Sequence, residues 1–196
     1  MQRWPSLGAR MLPNDAGRIL LPIARAAIAA TWGQHLGAAD DAPWLQEPGA
    51  SFVTLNQHGN LRGCIGSLVA RRSLLADVKA NALAAAFQDP RFAALTEGEL
   101  TITQIEVSVL SAMADLEFSN EADALSQLRP HIDGVVFESG GGHRATFLPQ
   151  VWEQLPAAST FMAHLKRKAG LPVDFWSPQV RLQRYTVSKW SEAVSA

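Results

Sequence analysis

The chain has only one cysteine, Cys64, among its 196 residues. A single thiol excludes an internal disulfide and a cysteine-rich zinc cluster, and it suits a reducing compartment, so we expect a cytoplasmic protein. The five histidines are scattered and lack the HxxH or HExxH spacing that is typical of zinc sites. We therefore expect no metal and no cofactor.

An excess of charge of one sign and long hydrophobic runs are also missing. The 17 Lys and Arg residues nearly balance the 18 Asp and Glu residues, which gives a net charge of −1. This balance supplies no general attraction to nucleic acids or anionic membranes. No stretch has the length of a membrane span, and the N-terminus lacks the apolar core of a signal peptide. We expect no membrane partner, and we do not expect nucleic acid to be the main one.

What the sequence does contain is an alternation of helical and extended patterns. Apolar residues at helical spacing predict helices over 15–32, 73–87 and 159–169 and a short one near 122–128. We expect Ser73 and Ser159 to cap two of them. Pro22 requires that the first helix either begins near Arg18 or is kinked.

Alternating apolar residues predict strands over 51–55, 61–65, 102–110, 134–138, 144–148 and 180–187. Tight hairpins should join the first two of these strands and the 134–138 and 144–148 pair. Hairpin strands that are interrupted by helices indicate an α+β fold with a largely antiparallel sheet and packed helices. We divide the chain into an irregular leader (1–13), one domain (14–190) and a tail (191–196).

The segment LRGCIGSL, residues 61–68, carries the only thiol. Alternation along a strand places Arg62 and Cys64 on the same side, and Gly63 and Gly66 permit close approach of another backbone or a ligand. A guanidinium beside a thiol favours the thiolate, so Arg62 could activate Cys64. The alternative is that Cys64 is a small buried hydrophobic residue.

Two other constellations could complete a site. In DPRF, residues 89–92, Asp89 can cap a turn and pair with Arg91, or Arg91 can act as a second cation that binds a carboxylate or phosphate. Glu106 and Ser108 lie on one face of the 102–110 strand, which is either simply solvated or part of the site. If this strand lies beside 61–65, Glu106 could face Arg62 as an orienting partner or general base.

Five blocks occur in one order along the chain: LRGCIGSL, AAAFQDPRFAALTEGEL, IEVSVLS, ATFLPQVWEQLP and HLKRKAGLP. In these blocks the sequence, over about residues 16–190, resembles the AMMECR-type domain family, whose bacterial members are also called protein A of the AmmeMemoRadiSam system. The resemblance implies a compact α+β domain with two unequal sublobes and a cleft between them. It implies Memo-like and radical-SAM proteins as partners, and it implies no settled reaction.

Three hypotheses of function follow. The first is a thiol-dependent enzyme of unknown reaction that acts on a small anionic substrate, with catalytic Cys64 and Glu106. Its substrate-binding residues would be Arg62, Gly63, Gly66, Asp89, Arg91 and Ser108. The second is a non-catalytic partner or adaptor subunit for Memo-like or radical-SAM proteins. The third and weakest is nucleic-acid binding through residues 166–168.

Overall fold

A computed structural model describes residues 12–193 of the chain. Most of the predicted leader and the last three residues of the predicted tail lie outside the described residues. The chain forms two compact units: residues 12–110 with 188–193, here the first unit, and residues 111–187, here the inserted unit. Within the described part of the chain, no helix is long and apolar enough to cross a bilayer.

The helices and strands follow one another as an α+β chain. The helices are α1 (Gly17–Ala29), α2 (Leu74–Phe87), α3 (Glu97–Leu100), α4 (Glu121–Ser126) and α5 (Ala158–Lys168). The strands are β1 (Pro48–Gly49), β2 (Ser51–Gln57), β3 (Asn60–Gly66), β4 (Arg72–Ser73), β5 (Gln104–Leu110), β6 (Ala114–Leu116), β7 (Gly134–Glu138), β8 (Arg144–Phe147), β9 (Arg181–Tyr185) and β10 (Val187–Ser191). This order confirms the predicted fold class.

The first unit is built on a four-stranded sheet in the order β10-β5-β2-β3. Strand β2 pairs antiparallel with both β3 and β5. Alternation buries Ile105, Val107 and Val109 of β5 in the same core as α1 and α2. The alternate residues of β2 and β5 are half-buried, as expected for an antiparallel sheet that has helices on one face.

Local signals position two of these elements. The β2–β3 hairpin turns at His58 and Gly59, whose φ values of 50° and 79° are those of a two-residue turn with both central residues left-handed. Helix α2 begins after Ser73, whose hydroxyl oxygen accepts a hydrogen bond from the Ala76 N–H at 3.3 Å. Both predictions are confirmed.

Helix α1 contains an internal proline. The helix begins at Gly17 and continues through Pro22 to Ala29, so Pro22 lies in its second turn. The helix therefore starts close to the predicted Arg18, without making Pro22 a first-turn residue. Because Pro22 has no N–H, the carbonyl of Arg18 loses its usual intrahelical donor.

The inserted unit has its own four-stranded antiparallel sheet, in the order β6-β9-β7-β8. Its core includes Trp152 and Phe161, whose rings stack with centroids 3.8 Å apart. The predicted hairpin of β7 and β8 is confirmed. The predicted cap of α5 is wrong, because the helix begins at Ala158 and takes Ser159 into its first turn.

The last predicted strand, 180–187, is divided at Thr186. Strand β9 stays in the inserted unit, whereas β10 joins the sheet of the first unit beside β5. Ser191, assigned to the tail above, ends β10, and the Glu192 carboxylate accepts a hydrogen bond from Arg25 Nε at 2.7 Å. The ordered fold therefore continues past the predicted start of the tail.

Candidate functional site

Cys64 lies on β3, one of the two edge strands of the first unit's four-stranded sheet. The residue is half-buried, and its cross-strand neighbour on β2 is Thr54. The Thr54 hydroxyl donates a hydrogen bond to Cys64 Sγ at 3.3 Å. Cys64 is therefore not fully buried and its sulfur has a polar neighbour, so it is not simply a core residue.

Asp89 and Arg91, here called the edge clamp, pair with the free edge of β3 at Cys64. The Asp89 carboxylate accepts the Cys64 N–H at 2.8 Å, and Arg91 Nη2 donates to the Cys64 carbonyl at 3.4 Å. Arg91 also holds Asp89 through two further bonds, Nε to Oδ1 at 2.9 Å and Nη2 to Oδ2 at 2.7 Å. The clamp satisfies backbone groups that an edge strand otherwise leaves open.

The edge clamp is an ion pair with one buried partner. The Asp89 side chain is 2% exposed and the Arg91 side chain is 54% exposed. Hydrogen bonds from Arg91 hold the pKa of Asp89 well below its usual range, and this effect outweighs burial, which acts in the opposite direction. Asp89 is therefore ionised and committed to Arg91 and to the backbone of β3.

Arg62 lies at an irregularity of β3. The register shifts so that Leu55 faces Gly63 and Asn56 faces Leu61, which leaves Arg62 as an extra residue, as in a β-bulge. Its guanidinium donates to the Glu99 carboxylate at 2.9 Å and 3.2 Å. The positive charge of Arg62 is thus matched by Glu99.

The Glu99 carboxylate is bound both by Arg62 and by the backbone at the start of α3. Its carboxylate accepts the Thr96 N–H at 2.8 Å, so it forms a capping box at the start of α3. Hydrogen bonding from Arg62, followed by that from the Thr96 backbone, lowers the pKa of Glu99 to about 2. Sequence reasoning missed Glu99, although TEGEL carries the local pattern of a capping box.

Glu106 and Ser108 share a face of the sheet with Cys64 but lie two strands away. Thr54 of β2 faces Cys64 on one side and Glu106 on the other. Two strand spacings separate Cys64 from Glu106, about 10 Å. Glu106 accepts instead from Ser191 Oγ at 2.9 Å and pairs with Lys189 at 3.3 Å. The expectation that Glu106 faces Arg62 is wrong, because β2 lies between their strands.

Protein atoms fill the space that the two glycines leave. A Cβ on Gly63 would lie 2.2 Å from the carbonyl oxygen of Ala85 in α2. A Cβ on Gly66 would lie 2.1 Å from the ring of Phe52, its cross-strand neighbour. These glycines therefore allow close approach of a backbone and a side chain of the same unit.

A second polar cluster, which sequence reasoning also missed, surrounds Asp77 in the first turn of α2. The Asp77 side chain is 1% exposed, and its carboxylate is a hydrogen-bond acceptor at 2.8–2.9 Å for Ser51, Ser67, Arg72 and Asn81. The available signal was the position of Asp77 and Asn81 four residues apart, among the apolar residues of the buried helix face. We call this set the Asp77 network.

At the basic end of α5, an acid neutralises Lys166, whereas Lys168 contacts a neutral carbonyl. Lys166 is buried, and its ammonium donates to Glu121 at 2.5 Å and to the carbonyl of Val173 at 3.2 Å. Lys168 donates to the carbonyl of Thr146 at 3.0 Å. Across residues 12–193, no group of three or more His, Cys, Asp or Glu side chains is placed to hold a metal ion.

Comparison with known proteins gives one consistent result. The AMMECR1 family model matches residues 21–190. The chain belongs to the AMMECR1 family. A protein of Methanothermobacter thermautotrophicus is 38% identical over 191 residues, which cover 92% of this chain and 96% of the relative. A protein of Saccharolobus solfataricus is 35% identical over 188 residues, 89% of this chain and 80% of the relative.

Solved structures support the same fold. The crystal structure of an uncharacterised protein from Pyrococcus horikoshii superposes on this AMMECR1 chain with a TM-score of 0.76 at 28% identity. The match covers 93% of this chain and 94% of the other. These relatives are archaeal, so they do not support assigning the chain to the bacterial members of the family.

Proposed function

We propose that this AMMECR1-family protein is a non-catalytic binding subunit that pairs with a Memo-like or radical-SAM protein. The supporting observation is the charge pairing around Cys64, where Arg91 is matched by Asp89 and Arg62 by Glu99. A thiol enzyme needs a cation or a base that acts on the sulfur. A cytoplasmic location belongs to the same proposal, because a lone thiol suits a reducing compartment.

The outward side of the edge clamp is the proposed contact. Arg91 is half-exposed, and within residues 12–193 its Nη1 has no hydrogen-bond partner. A guanidinium with one open side can bind a further carboxylate. We therefore propose that the partner presents an acidic side chain to Arg91, while Asp89 keeps the arginine in position.

Mixing purified proteins tests this proposal. Sedimentation of the full chain with a purified Memo-like protein, and separately with a purified radical-SAM protein, should reveal a complex with one of them. Arg91→Gln should weaken that complex by about tenfold, as expected for the loss of an interfacial charge pair. Arg71→Gln, a change at an exposed arginine of the same unit, is the matched control and should bind like wild type. Failure of the wild-type chain to bind either protein would contradict the proposal.

A second candidate function is a thiol-dependent enzyme that acts on a small anionic substrate. The observation that favours it is that Cys64 is only half-buried and that the Thr54 hydroxyl donates a hydrogen bond to its sulfur at 3.3 Å. The open side of Arg91 could bind the anion next to it. Glu106 is too distant to act directly as a base on this thiol, since it lies two strands away.

Alkylation of Cys64 distinguishes the two candidates. For a binding subunit, iodoacetamide should label the native chain more slowly than the urea-unfolded chain at every pH, because Cys64 is half-buried in the native chain. Faster labelling of the native chain at about pH 6, with the advantage lost in Arg91→Gln, would favour the enzyme, because an activated thiolate reacts below the usual thiol range.

A further inference from the structure

A cavity of about 410 Å³ lies along one side of α1 in the first unit. Its lining includes residues of α1, the segment at Leu36 and Glu192 after β10. This volume falls within the usual range of small-molecule pockets. None of these residues belongs to the Cys64 strand or the edge clamp, so the cavity is separate from the surface proposed to bind a partner.

The sequence of α1 explains the position of the cavity. Arg18, Leu21, Pro22 and Arg25 follow the i, i+3, i+4, i+7 spacing of one helix face, and all four line the cavity. The other face of the helix is the buried one that packs in the core. Leu36 adds a further apolar wall and is 45% exposed.

Arg25 and Glu192 form an ion pair, so their charges neutralise each other. Arg25 donates from Nε and Nη2 to the Glu192 carboxylate, at 2.7 Å and 2.5 Å, and from Nη1 and Nη2 to two backbone carbonyls. Glu192 also accepts the N–H of Ile105 at 2.8 Å. This pair forms a neutral, fixed part of the wall.

Arg18 differs from Arg25 in having no such partner. The residue is exposed, and across residues 12–193 its guanidinium makes no ion pair or hydrogen bond. Its carbonyl also lacks the usual helical donor, because Pro22 stands four residues later. Among the described residues, the cavity therefore combines an apolar wall with one unmatched positive charge.

We propose that this cavity binds a small organic acid, with its carboxylate on Arg18 and its apolar body against Leu21, Pro22 and Leu36. A guanidinium pairs with a carboxylate through two parallel hydrogen bonds. Burial of a hydrocarbon chain against the apolar wall is favourable. A second charged group on the ligand would be buried there without a partner, which is unfavourable. A monocarboxylate with an alkyl chain is therefore the ligand class that fits both features.

Titration calorimetry with octanoate tests the charge requirement. The wild-type chain should bind octanoate at one saturable site, and Arg18→Gln should weaken binding about tenfold or more, because it removes a charged hydrogen-bond pair. Arg71→Gln removes an exposed arginine of the same unit away from the cavity and should leave the affinity unchanged. Octylammonium has the same chain with the opposite charge and should not bind.

A second variant tests the location. Leu36→Asp places a negative charge on an exposed wall residue and should also weaken octanoate binding about tenfold by repulsion. Ile102→Asp is the matched control, because Ile102 is 51% exposed and does not line the cavity. Absence of saturable octanoate binding to wild type, or wild-type affinity in Arg18→Gln or in Leu36→Asp, would overturn the proposal.

Discussion

Two buried aspartates lie near opposite ends of α2, one inside the helix and one after it. Asp77 lies in the first turn of the helix, and Asp89 lies two residues after its end. Their side chains are 1% and 2% exposed, and each pairs with a half-exposed arginine, Arg72 or Arg91. By residue type, burial and charge partner the two sites are nearly the same.

They differ in what they hold together. Asp77 receives hydrogen bonds from buried Ser51 and Asn81 and from Ser67, so it joins α2 to β2 and to the segment after β3. Asp89 receives the backbone N–H of Cys64 at a sheet edge and is otherwise bound by Arg91. Burial of an acid therefore does not identify its role, whereas the identity of its donors does.

Asp77→Ala should give the largest effect of the changes considered. The substitution leaves several buried hydrogen-bond donors without an acceptor, so we expect the free energy of unfolding to fall by about 3–5 kcal/mol. Urea unfolding followed by circular dichroism measures this change. Glu97→Ala, at an exposed acid of the same unit, is the control and should stay within about 0.5 kcal/mol of wild type. A loss below about 1 kcal/mol for Asp77→Ala would contradict the conclusion that Asp77, unlike Asp89, joins several buried elements.

Asp89→Ala should cost less, about 1–3 kcal/mol, because the released N–H lies at a sheet edge rather than in the core. It should also increase the rate at which iodoacetamide labels native Cys64, since β3 loses the clamp beside the thiol. Labelling under native conditions, compared with Glu97→Ala, measures this second effect. A loss of unfolding free energy equal to that of Asp77→Ala would contradict this, because it would mean that the N–H at the edge of β3 costs as much to leave unpaired as donors in the core.

The arginines that pair with these two aspartates should show smaller effects in the reverse order, because Asp77 has more remaining donors than Asp89. Arg91→Gln should cost about 1–2 kcal/mol, because Asp89 keeps only backbone donors. Arg72→Gln should cost about 0.5 kcal/mol, since Asp77 keeps its serine and asparagine donors. Parallel urea unfolding of the two variants gives the comparison, and a larger loss for Arg72→Gln would contradict it.

The smallest effect should come from Glu99 and should appear only in acid. Its pKa is lowered from 4.5 to about 2 in the folded chain, so its contribution is present above about pH 4.5 and is lost as the pH falls toward 2. Wild-type stability should therefore fall more steeply over this interval than that of Glu99→Gln, by less than about 0.5 kcal/mol. Glu97→Gln, in the same helix, should keep the wild-type slope, and an unchanged slope in Glu99→Gln would contradict the assignment.

Features that depend on a few neighbouring residues could be predicted from the sequence. The Ser73 cap, the His58–Gly59 turn and the alternation of Ile105, Val107 and Val109 all rest on local rules. The pairing of Asp89 with Arg91 is local in the same sense, because only Pro90 lies between them in DPRF.

Pairings that depend on strand order could not be predicted. Nothing in the sequence places β2 between β3 and β5, and this order separates Glu106 from Arg62. Arg62 pairs instead with Glu99, a partner 37 residues away. Asp77 escaped prediction because an acid in the first turn of a helix normally faces solvent and complements the helix dipole. The unforeseen residues are thus those whose partners come from other elements.

The position of β10 has a consequence for how the chain is made. Strand β10 completes the sheet of the first unit, but it leaves the ribosome only after the whole inserted unit has been synthesised. Arg25 likewise cannot form its ion pair until Glu192 has been synthesised. Until then β5 has an unpaired edge, which is a site for wrong pairing in a nascent chain. A growing chain therefore carries its first unit incomplete through most of synthesis, and chaperones have that interval in which to act.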